Sequence, residues 1–272
     1  MSVTVIEPAR GWAAINLGEL WAHRELLWFL VWRDVTVRYK QTALGVAWVV
    51  LQPVLTMAVF SLIFGRLAGL PSDGRPYPVF VFCALLPWQL FANALTESGN
   101  SLVASQHLIT KVYFPRLIIP LAAVLAGLVD FGIACFVLVG LMAAYGLPLT
   151  PAVAAVPAFV LLACATALAA GLWLSALNVQ YRDVRYTIPF LAQVWLFATP
   201  VAYSAALVPE RWRFLYGLNP MVGVVEGFRW ALLGTSEAPG PAVWLSVAVT
   251  AALLASGAFY FRRVEREFAD VI

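Results

Sequence analysis

Between Arg116 and Tyr145 a single residue, Asp130, carries charge, and residues 41–65 and 152–179 carry none. Uncharged runs of this length have one stable setting, the hydrocarbon of a bilayer. There every backbone N–H and C=O must be satisfied inside the segment itself, and an α-helix does this. With 62% hydrophobic and 11% charged residues, the chain lies far outside soluble-domain composition. The runs are continuous and do not alternate, which excludes a membrane β-barrel. The expectation is an all-α membrane protein.

Six spans are legible: 41–65, 77–96, 117–145, 152–179, 187–203 and 238–261. Pro189 and Pro200 are expected to kink the fifth. Residues 204–237 do not make a simple span. A polar stretch, PERWR (209–213), precedes a short apolar segment broken at Asn219-Pro220. This predicts a re-entrant or surface-lying hairpin between spans five and six. Residues 1–40 form the one long charged stretch, a cytoplasmic N-terminal segment ahead of a six-span domain over 41–272. Within it, residues 17–38 mix apolar positions at helical spacing with Trp21, Trp28, Trp32 and several charges. That reads as an amphipathic helix in the membrane interface. Glu7 and Pro8 stand where a signal peptide needs an apolar core, so no cleaved signal is expected.

Six spans put both termini on one side. Twelve of the seventeen Lys and Arg residues then share that side, which makes it cytoplasmic by the positive-inside rule. The segment SQHLITKVYFPR (105–116) is a tight loop on the same face. Its Leu108, Ile109, Lys111, Val112, Tyr113, Phe114 and Arg116 are too apolar for a passive linker and too basic for lipid. An apolar face offered to a partner's cleft is the expected use.

Chemistry is sparse. Neither lysine, Lys40 or Lys111, sits in a Gly-x-x-x-x-Gly-Lys-Ser/Thr loop, so this chain is not expected to hydrolyse ATP. His23 and His107 are far apart, and Cys83, Cys135 and Cys164 lie inside apolar runs without metal or redox spacing. No catalytic or metal site is expected. A net charge of +3 gives no case for nucleic acid. Gln89, Asn93, Glu97 and Asn100 fall on one face of the second span. A polar stripe does not face lipid cheaply, so it either lines a path or bonds to a neighbouring helix. Asp130 stands alone in the third span, with no basic residue close in sequence, and reads as a functional group or a structural hydrogen-bonding one. Trp173, Trp195, Phe197 and Tyr203 lie in or near spans. They serve either as stacking platforms for a ligand or as packing between helices.

Six phrases stand in order along nearly the whole chain: VWRDVTVRYKQTALG (31–45), LPWQLF (86–91), ITKVYFPR (109–116), YRDV (181–184), LNP (218–220) and FADVI (268–272). Together they resemble the membrane subunit of bacterial ABC exporters for O-antigen and other cell-surface polysaccharides. The resemblance implies a pore-forming permease of the inner membrane, paired with a second copy of itself and with two copies of a separate ATPase that holds the ATP and Mg. It implies that residues 17–38 and 105–116 dock on that ATPase, that 204–237 form an outer gate, and that the substrate is a lipid-linked glycan. It places any carbohydrate-binding module on the ATPase subunit. Competing readings are an ABC permease for drugs or lipids, a proton-coupled secondary transporter using Asp130 or Glu97, and a membrane glycosyltransferase.

Overall fold

The computed structural model describes residues 17–40, 45–234, 240–265 and 268, and among them every regular element is a helix. Two helices precede the first span: α1 (Leu17–Ala22) and α2 (Arg24–Lys40). The break falls at His23, whose Nδ1 lies 2.9 Å from the Glu19 carbonyl. Residues 41–44 of the first expected span, 235–239 of the expected hairpin and its junction with the sixth span, and most of the tail phrase lie outside the described residues.

Five helical stretches are long and apolar enough to cross a membrane. The first is α3 (Gly45–Phe60), continued by a π-helical segment over Ser61–Leu67. The others are α4 (Tyr77–Ala104), α6 (Ile118–Ala144), α7 (Val156–Gln180) and α11 (Pro241–Val264). Between α4 and α6 sits the single turn α5 (Gln106–Ile109). Prolines open several of these helices at the first or second position, where the missing N–H has no intrahelical partner to lose.

The expected fifth span behaves differently. It forms α8 (Val184–Phe197), of 14 residues, about 21 Å at the usual rise, against a hydrocarbon core of about 30 Å. A turn over 198–204 follows, so Pro200 lies beyond the helix and does not kink it. Next come α9 (Glu210–Gly217) and α10 (Pro220–Leu233). Gly234 ends α10 in the left-handed region, φ 60°, and its N–H donates to the Trp230 carbonyl. This is a C-terminal geometry that glycine adopts without side-chain cost.

The helix α4 is the hub, packed against α6, α7, α8, α10 and α3. Of its most apolar window 78% is buried, against 6% for α3. As a result α3 lies along the side of the bundle with most of its surface uncovered. The two helices of the 204–237 region differ in the same way. In α9 only Gly217 is buried, whereas α10 is inserted among α4, α7 and α11 with most of its residues inside. That insertion needs a small residue at the crossing. A Cβ on Gly227 would stand 2.1 Å from the Phe159 ring, so the ring packs directly on the glycine, in space that any side chain there would fill.

Two apolar clusters divide the core. One runs along α4, α6, α7 and α10. The other gathers Leu30 and Val31 of α2, Ile109 and Phe114 of the 105–116 segment, Ile118 of α6, and Phe261 and Phe268 from the C-terminal part. The bundle therefore has an α5 end, where α2 and the C-terminal segment meet, and an α10 end.

Candidate functional site

The polar stripe of α4 divides in its use. Gln89, Asn93 and Glu97 line an open cavity of about 530 Å³ between α3, α4 and α6. Asn100, one turn further, accepts a 3.1 Å hydrogen bond from the Asn178 side-chain amide, which also reaches the Gly99 carbonyl at 3.0 Å. Three residues thus face open space, and the fourth is bonded to α7.

Asp130 is not alone. Arg38, in the last turn of α2, donates from Nη1 to Asp130 Oδ2, and the Tyr39 hydroxyl donates to Asp130 Oδ1. Arg38 Nη2 also lies 4.0 Å from Glu97 Oε1. The cluster forms one wall of the cavity, opposite Trp48 and Gln52 on α3. Sequence reasoning missed it because the partners are 92 residues apart. A signal existed for α3: Trp48 and Gln52 are four residues apart, which puts them on one helical face.

The aromatic residues singled out above are spread over the molecule and line no common wall. Trp173 stacks on Tyr260, ring centroids 4.5 Å apart, and its indole N–H reaches Ser256 at 3.3 Å. Trp195 packs edge-on against Phe91 and donates to Asn219 at 2.8 Å. Phe197 is 61% exposed on the outer side of α8. The Tyr203 hydroxyl donates to the Phe197 carbonyl at 3.0 Å and accepts from the Tyr216 hydroxyl at 3.0 Å.

At the α10 end a dense polar knot fixes the 198–204 turn. Asn219 caps α10 through the Met221 N–H at 3.0 Å, and its amide donates to the Ala198 carbonyl and the Thr199 hydroxyl. This is the physical content of the LNP phrase: one side chain caps its own helix and holds the end of another. Arg229, 1% exposed, donates to the carbonyls of Val201 at 2.9 Å and Tyr203 at 3.2 Å and pairs with Glu226 at 3.2 Å. Its guanidinium carbon lies 3.6 Å from the centroid of the Phe80 ring.

At the α5 end the 105–116 segment has two faces. Ile109 and Phe114 are buried, Leu108 is half-buried against the same cluster, and Val112 and Tyr113 are 53% and 70% exposed, with Lys111 exposed beside them. Arg116 is occupied within the chain. Its backbone N–H reaches Glu265 Oε1 at 3.3 Å, its side chain donates to the Glu265 carbonyl, and its guanidinium lies over the Phe268 ring. Among the described residues no group of His, Cys, Asp and Glu is placed to hold a metal ion.

Comparison with known proteins agrees with this architecture. Residues 25–233 match the family of ABC-2 type transporters. The O-antigen export system permease protein RfbA of Myxococcus xanthus is 31% identical over 93% of this chain and 98% of its own length. A protein of the same name from Klebsiella pneumoniae is 30% identical over 79% of this chain and 81% of its own. The inner membrane transport permease YadH of Escherichia coli K12 is 28% identical over 69% and 76%. With most of its length matched and a full-length relative above 30% identity, the chain belongs to the ABC-2 type transporter membrane family.

Proposed function

We propose that this chain is the transmembrane subunit of an ATP-driven exporter that moves a lipid-linked polysaccharide out of the cytoplasm across the inner membrane. The observation that carries this reading is the end-to-end similarity to an O-antigen export permease. A second copy of the chain completes the pore, and two copies of a separate ATPase supply the energy, with ATP and Mg bound there. A permease for another lipid or a drug is the second reading, favoured only by the lower similarity to the transport permease YadH. Glycolipid-stimulated ATP hydrolysis by the chain purified with its ATPase separates the two. Stimulation by lipids without a glycan, and none by glycolipid, overturns the first.

In this reading α8 and the turn after it together make the fifth of six crossings, so both termini are cytoplasmic. The α9–α10 pair forms the outer gate. Asp73, in the turn after the first span with φ 51°, then faces outward. An Asp73→Cys variant on a cysteine-free background is expected to react with an impermeant maleimide added outside intact spheroplasts. Labelling only after the cytoplasmic face is opened reverses the topology.

The exposed tip of the 105–116 segment docks on the ATPase. Ile109 and Phe114 hold the segment to the bundle, leaving Lys111, Val112 and Tyr113 for the partner. Changing Val112 and Tyr113 to Asp should leave folding intact, because both side chains face outward. It should cut export about tenfold or more, since an unpaired charge is costly in a closed interface. Co-purification with the ATPase and export in cells measure both effects. Full export by the double variant rules the docking out.

A further inference from the structure

We infer that the cavity between α3, α4 and α6 is a binding subsite for an uncharged sugar residue of the transported molecule, and that it rejects the diphosphate of a lipid carrier. The source of that sugar rests on the export reading, whereas the chemistry of the site does not. The volume, about 530 Å³, falls within the range of small-ligand pockets. Three amides reach it from two helices, Gln52 from α3 and Gln89 and Asn93 from α4. Gln89 is half-buried and Gln52 and Asn93 are exposed towards that space, and none of the three side chains is hydrogen-bonded among the described residues. An amide at membrane depth needs a partner, and three that converge on one space suit a ligand with several neighbouring hydroxyls, which both donate and accept. The Trp48 indole, 56% exposed on the same wall, offers a flat apolar face for the C–H side of a sugar ring.

Charge decides the class. The three ionisable residues lining the cavity are Arg38, Asp130 and Glu97. Arg38 is engaged by Asp130 and approached by Glu97, so with both carboxylates ionised the lining carries one net negative charge. A diphosphate would add further negative charge to that surface with no uncommitted cation to receive it. A neutral polyol meets a carboxylate that accepts from hydroxyls.

The test uses the full-length chain in lipid nanodiscs, with Cys83, Cys135 and Cys164 changed to Ala and a single reporter, Val49→Cys, on the cavity wall. The rate of maleimide labelling is measured with three probes: a polyprenyl diphosphate bearing one glucose, the same lipid without sugar, and free glucose. The sugar-bearing lipid should slow labelling saturably, and Gln89→Leu or Asn93→Leu should each raise the half-protecting concentration about fivefold, the loss of one hydrogen bond. Protection by free glucose as well also supports the site and shows that it reads the sugar without the carrier. Equal protection by the sugar-free lipid overturns the proposal, as does no protection by any probe. Should the reporter chain fail to fold, native mass spectrometry of the unmodified chain against Asn93→Leu asks the same question: selective retention of the glucosylated lipid by the parent is required. ATP-driven export without sugar protection sinks the subsite alone. Sugar protection without ATP-driven export sinks the export reading alone.

Discussion

An Arg229→Leu variant is expected to lose the packing of the α10 end and to be the least stable single substitution considered for this protein. The guanidinium is buried, and three oxygens depend on it: the Val201 and Tyr203 carbonyls and the Glu226 carboxylate. Leucine replaces none of these bonds. Removing one partner of a fully buried ion pair costs about 3–5 kcal/mol; the Glu226 side chain is 26% exposed, so water screens the stranded carboxylate in part and the cost falls at or below the low end of that range. Each orphaned carbonyl adds about 1–3 kcal/mol when no water reaches it. The contact with the Phe80 ring is lost as well. Arg229→Lys should fall between the parent and Arg229→Leu. An ammonium keeps the charge but not the planar fork that reaches two carbonyls at once. Changing Glu226 and Arg229 together to leucine should recover part of the loss, since no charge is then stranded. Thermal midpoints of the detergent-solubilised variants, followed by fluorescence-detected size exclusion, give the order. If Arg229→Leu melts with the parent, the knot contributes nothing to stability.

The spans were legible because lipid leaves a long uncharged run no alternative to a helix. What the chain itself does not write down is which helices another part of the molecule cuts short. Residues 187–203 have the apolar length of a span, yet α8 stops at Phe197. The carbonyl and hydroxyl at its end are held by Asn219, and Arg229 holds the turn that follows. Those residues lie twenty to thirty positions later, and only the assembled bundle brings them there. The 105–116 segment shows the same limit on a smaller scale. Its amphipathic composition was plain, but which apolar residues face inward depends on α2 and the C-terminal segment meeting beneath it, so Ile109 and Phe114 could not be told from Val112 and Tyr113. For the α4 stripe the sequence offered a path or a neighbour; the structure gives Asn100 its neighbour and puts Gln89, Asn93 and Glu97 on a cavity. Trp195 was legible as an aromatic in a span, and its indole N–H is spent on Asn219.

The Arg38–Asp130 pair is expected to hold α2 to the bundle, and the variants that show this differ in sign. Asp130→Leu takes the Asp130 carboxylate from Arg38 and leaves the Tyr39 hydroxyl without that acceptor. The side chains are 30% and 17% exposed, so water screens the pair in part. The cost is then below the buried-pair value, about 2 kcal/mol. Asp130→Asn keeps an acceptor for Tyr39 or for Arg38 and should lose less. Reversing the pair, Arg38→Asp with Asp130→Arg, should regain much of what either single change loses, because Coulomb attraction does not depend on which helix carries which sign. The informative variant is the doubly neutral one, Arg38→Leu with Asp130→Leu. It strands no charge, so its thermal midpoint should return towards the parent's. It also removes the polar tie between α2 and α6, which leaves the apolar contacts of Leu30 and Val31 to position a helix that in the export reading faces the ATPase. Export by this variant should therefore stay well below the parent level while its stability recovers. Stability and export that rise and fall together across all four variants would reduce the pair to a structural bond with no part in coupling.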